Sequence, residues 1–156
     1  MSEFRLEGGC HCGAVRYVLT KPAISVQHCH CERCRKGSGA LTGTGAVIHR
    51  SALTISGSEN LTEYRSSPSY SAHFCKICGS HLFFYEDSET RLMYFSPATL
   101  DEGAHPGHSP DKESHIYMRS KPAWHRSTDD LPKYETTSPD EIITGVQKED
   151  ILNRDL

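Results

Sequence analysis

Seven cysteines stand in three short groups along a chain of 156 residues. Cys10 and Cys12 form C-x-C, Cys29, Cys31 and Cys34 form C-x-C-x-x-C, and Cys75 and Cys78 form C-x-x-C. Each group is short enough to chelate one ion locally. Zinc is borderline soft, takes thiolates at about 2.3 Å and prefers four tetrahedral ligands where its role is structural. Seven divides as four and three. Cys10, Cys12, Cys75 and Cys78 make a closed zinc site that ties the N-terminal hairpin to the middle of the chain. Cys29, Cys31 and Cys34 make a second site one ligand short. Three ligands and an open position are the arrangement of a catalytic zinc. The expectation is therefore two zinc ions per chain. A redox C-x-x-C needs a βαβ context that this pattern lacks. An iron–sulfur cluster would take four thiolates and leave three unexplained. A single structural zinc with spare cysteines is the remaining competitor.

The residues between the cysteines set the surroundings. Alternate residues of an extended chain face opposite sides, so Cys29 and Cys31 share one face and His28 and His30 the other. His30 is thus expected to support the site or pack behind it rather than to ligate. His73 and His81, which flank the C-x-x-C pair, are read the same way, and His49 as a partly buried strand residue. Arg33, Arg35 and Lys36 follow the ligands, opposed only by Glu32. They either offset the negative charge of three thiolates or hold a substrate carboxylate; the alternative is a solvated basic turn.

These residues need a scaffold, and the pattern is that of short strands. Alternation and β-branched or aromatic residues mark Phe4–Glu7, Ala14–Leu19, Ile24–His28, Gly45–His49, Leu53–Ser56, Leu61–Arg65, Ser71–Phe74, Leu82–Tyr85 and Leu92–Phe95. Strand after strand with turn signals between them means a mainly β fold. Short helical turns are expected after Cys31 and at Asp101–Glu102. Residues 102–115 hold two prolines, two glycines and His105, His108 and His115, and read as a long loop, either mobile or covering the open site. Residues 116–125 return to a strand-like pattern, with Trp124 as a core or interface anchor. The expected domain is 1–135. Residues 136–156 form an acidic tail, a short helix or partly disordered, in which Ser138 caps, Pro139 stands first and Glu141 completes a capping box.

The composition excludes some roles. Seventeen basic against 20 acidic residues give a net charge of -3, without the clustered positive field that nucleic acid demands. No apolar run approaches the roughly 20 residues of a membrane helix. The start, MSEFRLEGGC, lacks the layout of a signal peptide, so the chain reads as cytoplasmic, where thiols stay reduced. With 36% hydrophobic residues the core is thin, which makes a metal staple useful.

The motifs G-G-C-H-C-G-A-V-R-Y (8–17), C-H-C-E-R-C-R-K-G-S-G (29–39), F-C-K-I-C-G-S-H-L (74–82) and H-I-Y-M-R-S-K-P-A-W (115–124) resemble the glutathione-dependent formaldehyde-activating enzyme family, which includes centromere protein V. The resemblance covers roughly residues 6–133. It implies a β-tent fold of antiparallel sheets stapled by zinc. It also implies a structural zinc on Cys10, Cys12, Cys75 and Cys78 and a catalytic zinc on Cys29, Cys31 and Cys34. The implied reaction is carbon–sulfur lyase chemistry: formaldehyde condenses with glutathione to S-hydroxymethylglutathione. The substrate thiol would be the fourth ligand of the open zinc, and His30, His73 or a water would be the proton donor.

Three functions follow from these readings. The first is a zinc-dependent lyase acting on the adduct of a small thiol, such as glutathione, and a small aldehyde. The second is a non-catalytic zinc module that binds a small molecule or protein. The third is a zinc hydrolase, disfavoured because no carboxylate sits at fixed spacing and three thiolates make a poor Lewis acid. A sheet edge or the tail leaves room for a homo-oligomer, and nothing in the sequence demands one.

Overall fold

The structure, a computed structural model, describes residues 3–139. The strands are β1 (Leu6–Gly9), β2 (Arg16–Leu19), β3 (Ser25–Cys29), β4 (Gly43–His49) and β5 (Leu53–Ser56). They continue with β6 (Leu61–Ser67), β7 (Tyr70–Cys75), β8 (His81–Glu86), β9 (Leu92–Phe95) and β10 (Glu113–Ile116). One α-helix, α1, spans Glu32–Ser38, and the described chain is otherwise loops and short 3-10 turns. The fold is mainly β. Among the described residues no helix is long and apolar enough to cross a membrane.

The chain divides into two compact units. The first runs up to Ala23 and resumes over Ala46–Gly107. In it β1, β2 and β5 form an antiparallel sheet, and the end of β4 leads a second antiparallel run through β9, β8, β7 and β6. Alternation in β2 turns Tyr17 and Leu19 inward, and both are buried. The Tyr17 ring meets Phe83 and Phe95 edge-on at 5.5 and 5.7 Å, so one side chain of the first sheet anchors in the second. Its hydroxyl lies 2.8 Å from Thr99 Oγ1, so the buried polar tip is satisfied. Arg16 makes a bidentate pair with Asp101, which fixes the turn that follows β9.

The second unit comprises Ile24–Gly45 and the chain from His108 onward. Its centre is the pair β3–β10, in which Val26, Gln27, His28 and Cys29 face Glu113, Ser114, His115 and Ile116. This pair is parallel, a departure from the all-antiparallel expectation. The long connection from β3 to β10 supplies the crossover that parallel pairing requires. Residues 132–136 lie along the other edge of β10, with bonds from His115 N–H to Pro132 O (2.9 Å) and from Tyr134 N–H to His115 O (3.0 Å).

The nine expected strands are all present, with ends shifted by a residue or two. Residues 102–115 are not one long loop, because their last three residues belong to β10. The strand-like reading of 116–125 fails beyond Ile116. Tyr117 takes a left-handed φ of 56° and the chain turns through Met118–Ser120. Trp124 is therefore no core residue and is 75% exposed. The helix expected from Ser138 lies outside the described residues. Ser138 itself is buried and accepts a bond from Gln27 Nε2 at 2.9 Å.

Candidate functional site

Two tight turns gather the four-sulfur group. Cys10 follows β1, donates its N–H to Val15 O (3.0 Å) and accepts from Gly13 N–H (3.1 Å). Cys75 ends β7, donates to Ser80 O (2.9 Å) and accepts from Gly79 N–H (2.8 Å). The sulfurs of Cys10, Cys12, Cys75 and Cys78 then lie within 4.8 Å of one another. Cys10 and Cys12 are 3.6 Å apart and Cys12 and Cys75 3.8 Å. Four sulfurs at about 2.3 Å from a tetrahedral zinc stand about 3.8 Å apart, so the spacing fits that ion. Further donors favour thiolates. The Val15 N–H reaches Cys10 Sγ at 3.2 Å. Hydrogen bonds from Ser80, side chain first and then backbone, push the Cys78 thiol down to about 5.

The second group is built where a strand runs into a helix. Cys29 ends β3 opposite Ile116. Cys31 is the N-cap of α1 and its Sγ accepts from the Cys34 N–H at 3.4 Å. Cys34 sits in the first turn. Gly43 makes the approach possible: a Cβ there would fall 2.7 Å from Cys34 Cβ and 3.3 Å from its Sγ. The three sulfurs lie within 4.8 Å of one another. Hydrogen bonds with Cys29 and Cys34, against the opposing effect of burial, push the Cys31 thiol down to about 2, and Arg33 adds to this. The same crowding, with burial second to it, pushes the Cys29 thiol up. Three sulfurs this close tolerate little negative charge among themselves, and a divalent cation is what lets all of them ionise.

The cations beside this group differ in what they touch. Arg35 donates from Nε to His30 O (3.2 Å) and from its guanidinium to Ser120 O (3.3 Å), so it braces the ligand turn. Lys36 pairs with Glu32 at 2.9 Å on the exposed face of α1. Arg33 is half-buried.

Behind the sulfurs lies a set of histidines and carboxylates. The β3–β10 register puts His28 beside His115, with ring centres 5.0 Å apart, and Cys29 beside Ile116 on the opposite face. His28 bonds Thr44 Oγ1 (2.9 Å) and Glu113 Oε1 (2.8 Å), and the other oxygen of Glu113 meets His108 Nε2 at 3.0 Å. His108 is therefore built into the unit rather than carried on a mobile loop. His30 is fully buried, with Nε2 2.8 Å from His115 Nδ1. His115 Nε2 is in turn 2.8 Å from Asp129 Oδ2. Burial, the largest cause, pushes His30 down to about 4, so it is neutral at neutral pH. Burial acts against ionisation of Asp129, but bonds from His115, Leu131 and Lys133 hold it down to about 2. His73 belongs to the first unit, where its ring meets Tyr85 edge-on at 4.9 Å.

Sequence reasoning singled out His30 and missed Thr44, Glu113, His125 and Asp129. The signal for Glu113 is the alternation Glu113-Ser114-His115-Ile116, which matches His28-Cys29-His30-Cys31 in period.

Comparison with known proteins identifies relatives of the chain. The family model described as glutathione-dependent formaldehyde-activating enzyme matches residues 5–120. A Halomonas elongata protein whose name assigns it to those enzymes is 31% identical over 130 residues, 76% of this chain and 78% of that one. An uncharacterized lyase of Schizosaccharomyces pombe is 32% identical over 100 residues, 62% of this chain and 69% of that one. A Rhodobacter sphaeroides protein of known crystal structure superposes with a TM-score of 0.53 at 31% identity, covering 65% of this chain and 92% of that one. With the match spanning both cysteine groups, the chain belongs to the glutathione-dependent formaldehyde-activating enzyme family.

Proposed function

We propose that this chain is a zinc-dependent carbon–sulfur lyase that joins a small thiol to a small aldehyde and cleaves the adduct, with glutathione and formaldehyde as the pair. The carrying observation is the three-sulfur group of Cys29, Cys31 and Cys34, one donor short of a closed zinc site. The family and the names of the relatives support an enzyme of the lyase type.

In the forward direction a bond forms between the thiol sulfur and the aldehyde carbon. The carbonyl π pair moves to oxygen, and that oxygen takes up the proton the thiol gave up. Zinc bound at the open site supplies a positive centre that lowers the proton affinity of a thiol placed there. The chain's own residues do the rest. Cys29, Cys31 and Cys34 hold the ion, and α1 fixes two of these sulfurs through its first turn. Arg33, Arg35 and Lys36 give the rim positive charge suited to the carboxylates of glutathione. Arg35 also braces the turn. Cys10, Cys12, Cys75 and Cys78 hold a second, structural zinc. Seven cysteines without a disulfide suit a reducing cytoplasm.

The test is NMR exchange between free formaldehyde and its glutathione adduct, with zinc content determined for wild type and Cys31→Ser. The proposal expects two zincs and faster exchange for wild type, and one zinc and the uncatalysed rate for the variant. A two-zinc wild type that leaves exchange unchanged rejects this pair of substrates.

A further inference from the structure

The line Asp129–His115–His30 has a direction, and the donors around Asp129 set it. Oδ1 of Asp129 accepts from the Leu131 N–H at 3.1 Å and from Lys133 Nζ at 3.3 Å. Oδ2 is 2.8 Å from His115 Nε2. A carboxylate so placed only accepts, so the proton of that last bond sits on His115 Nε2. A neutral His115 then presents a lone pair at Nδ1, 2.8 Å from His30 Nε2. The proton of this second bond therefore sits on His30 Nε2, which leaves His30 Nδ1 as a bare acceptor. That nitrogen is buried and has no partner among the described residues.

The backbone of His30 is held as firmly as its ring. Its N–H donates to Ile116 O at 3.0 Å and its carbonyl accepts from Arg35 at 3.2 Å. The ring has those of His115 and His125 as neighbours, with centres 5.0 and 5.5 Å away. Its chain neighbours on either side are Cys29 and Cys31.

We infer that Asp129 and His115 are positioning residues for the three-sulfur site: acting through His30, they fix its tautomer and its place between Cys29 and Cys31. The inference rests on the lyase reading of that site. A buried polar line is costly unless complete, and an apolar side chain would fill the place of His30 without that cost. What the line adds is a set proton position, which makes His30 Nδ1 an acceptor for a proton-bearing group such as water, a hydroxyl or a thiol. Asp129 lies beyond the residues 5–120 that match the family.

Asp129→Asn is the informative variant, because Asp129 is 46% exposed and its replacement removes no core packing. An asparagine amide donates to His115 Nε2 and reverses both bonds. Long-range 1H–15N NMR of the zinc-loaded protein reads the tautomers directly. The expected result is Nε2–H on His30 and His115 in wild type and Nδ1–H on both in Asp129→Asn. Cobalt placed in the three-sulfur site is expected to change its visible absorption between the two proteins. The exchange rate falls roughly 10–100-fold in the variant, as for other groups that orient a metal's surroundings, and the fold melts lower at pH 7 because the carboxylate that folding holds down is gone. Asp129→Glu restores the wild-type tautomers. Nδ1–H on His30 in wild type, unchanged tautomers in Asp129→Asn, or an identical cobalt spectrum overturns the inference. The NMR and cobalt readings do not depend on turnover, so a tautomer switch in a protein without exchange activity refutes the lyase reading alone.

Discussion

Cys31→Ser and Cys75→Ser remove one sulfur each, and the structure predicts opposite outcomes. Cys31 caps α1 with φ -62° and ψ 154°, and its sulfur already accepts from the Cys34 N–H. Serine is among the best N-cap residues, with about 0.5–2 kcal/mol separating it from alanine there, so the new hydroxyl preserves or improves the cap. The helix has no buried residue, and little packing depends on the sulfur. Apart from the zinc it gives up, Cys31→Ser should therefore change stability by less than about 1 kcal/mol, a shift of about 2–4 °C for a chain of this size. Cys75 is fully buried at the end of β7 and is one of four donors. Structural zinc contributes about 10–16 kcal/mol of apparent binding free energy, against about 5–15 kcal/mol for the net stability of a domain. Losing the whole of that term is enough to cancel a net stability of that size. Thermal melting by circular dichroism, with zinc counted by native mass spectrometry, decides the matter. Cys31→Ser should melt cooperatively, at the temperature of wild type stripped of the open-site zinc, and carry one zinc, whereas Cys75→Ser should show no cooperative melt. A Cys75→Ser protein that melts within a few degrees of wild type, or a Cys31→Ser protein that does not fold, refutes the division into a structural and an open site.

Gly43→Ala sets a Cβ 2.7 Å from Cys34 Cβ and should displace that sulfur. Zinc should then leave the three-sulfur site at chelator concentrations that wild type withstands, as read by a colorimetric zinc assay. Lys36→Ala breaks only an exposed pair with Glu32, so melting should not move. If Lys36 also meets a substrate carboxylate, KM for the glutathione adduct should rise about two- to fivefold at constant kcat, the range for an exposed ion pair. Asp101 is held below its ordinary value of 3.8 by the hydrogen bonds of Arg16. A carboxyl depressed on folding stabilises above its unfolded value and loses that contribution as pH falls through the folded one. Asp101→Asn should therefore melt below wild type at pH 7, and the gap should close as pH drops below about 4; a gap that is constant with pH would show the pair to be irrelevant.

What the sequence made legible was local. The cysteine groups close through turns of two to four residues, and β2 declares itself through Tyr17 and Leu19 on one face. What it hid was distant. His30 meets His115, and His28 meets Glu113, across 85 residues in each case. No period or spacing reports a contact over that separation. Strand β10 is four residues long and follows Pro110, so turn residues mask it. The end of β10 was equally silent, because Tyr117 adopts a left-handed backbone that its residue type gives no reason to expect. Trp124 looked like an anchor by size alone, and the turn after Ile116 leaves it exposed.

The parallel pairing of β3 with β10 also bears on how the protein is made. During synthesis Cys29, Cys31 and Cys34 leave the ribosome together, and so few residues can seize a metal at once. The strand that braces them is still about 85 residues away, a delay of roughly 4–17 s at about 5–20 residues per second. The first unit has its chain by Gly107, before β10 exists. The sulfur ligands are thus on hand early, while the histidine line and the brace at Ile116 arrive near the end. A nascent chain stalled before Glu113 would carry the ligands of the open site without the structure that positions them.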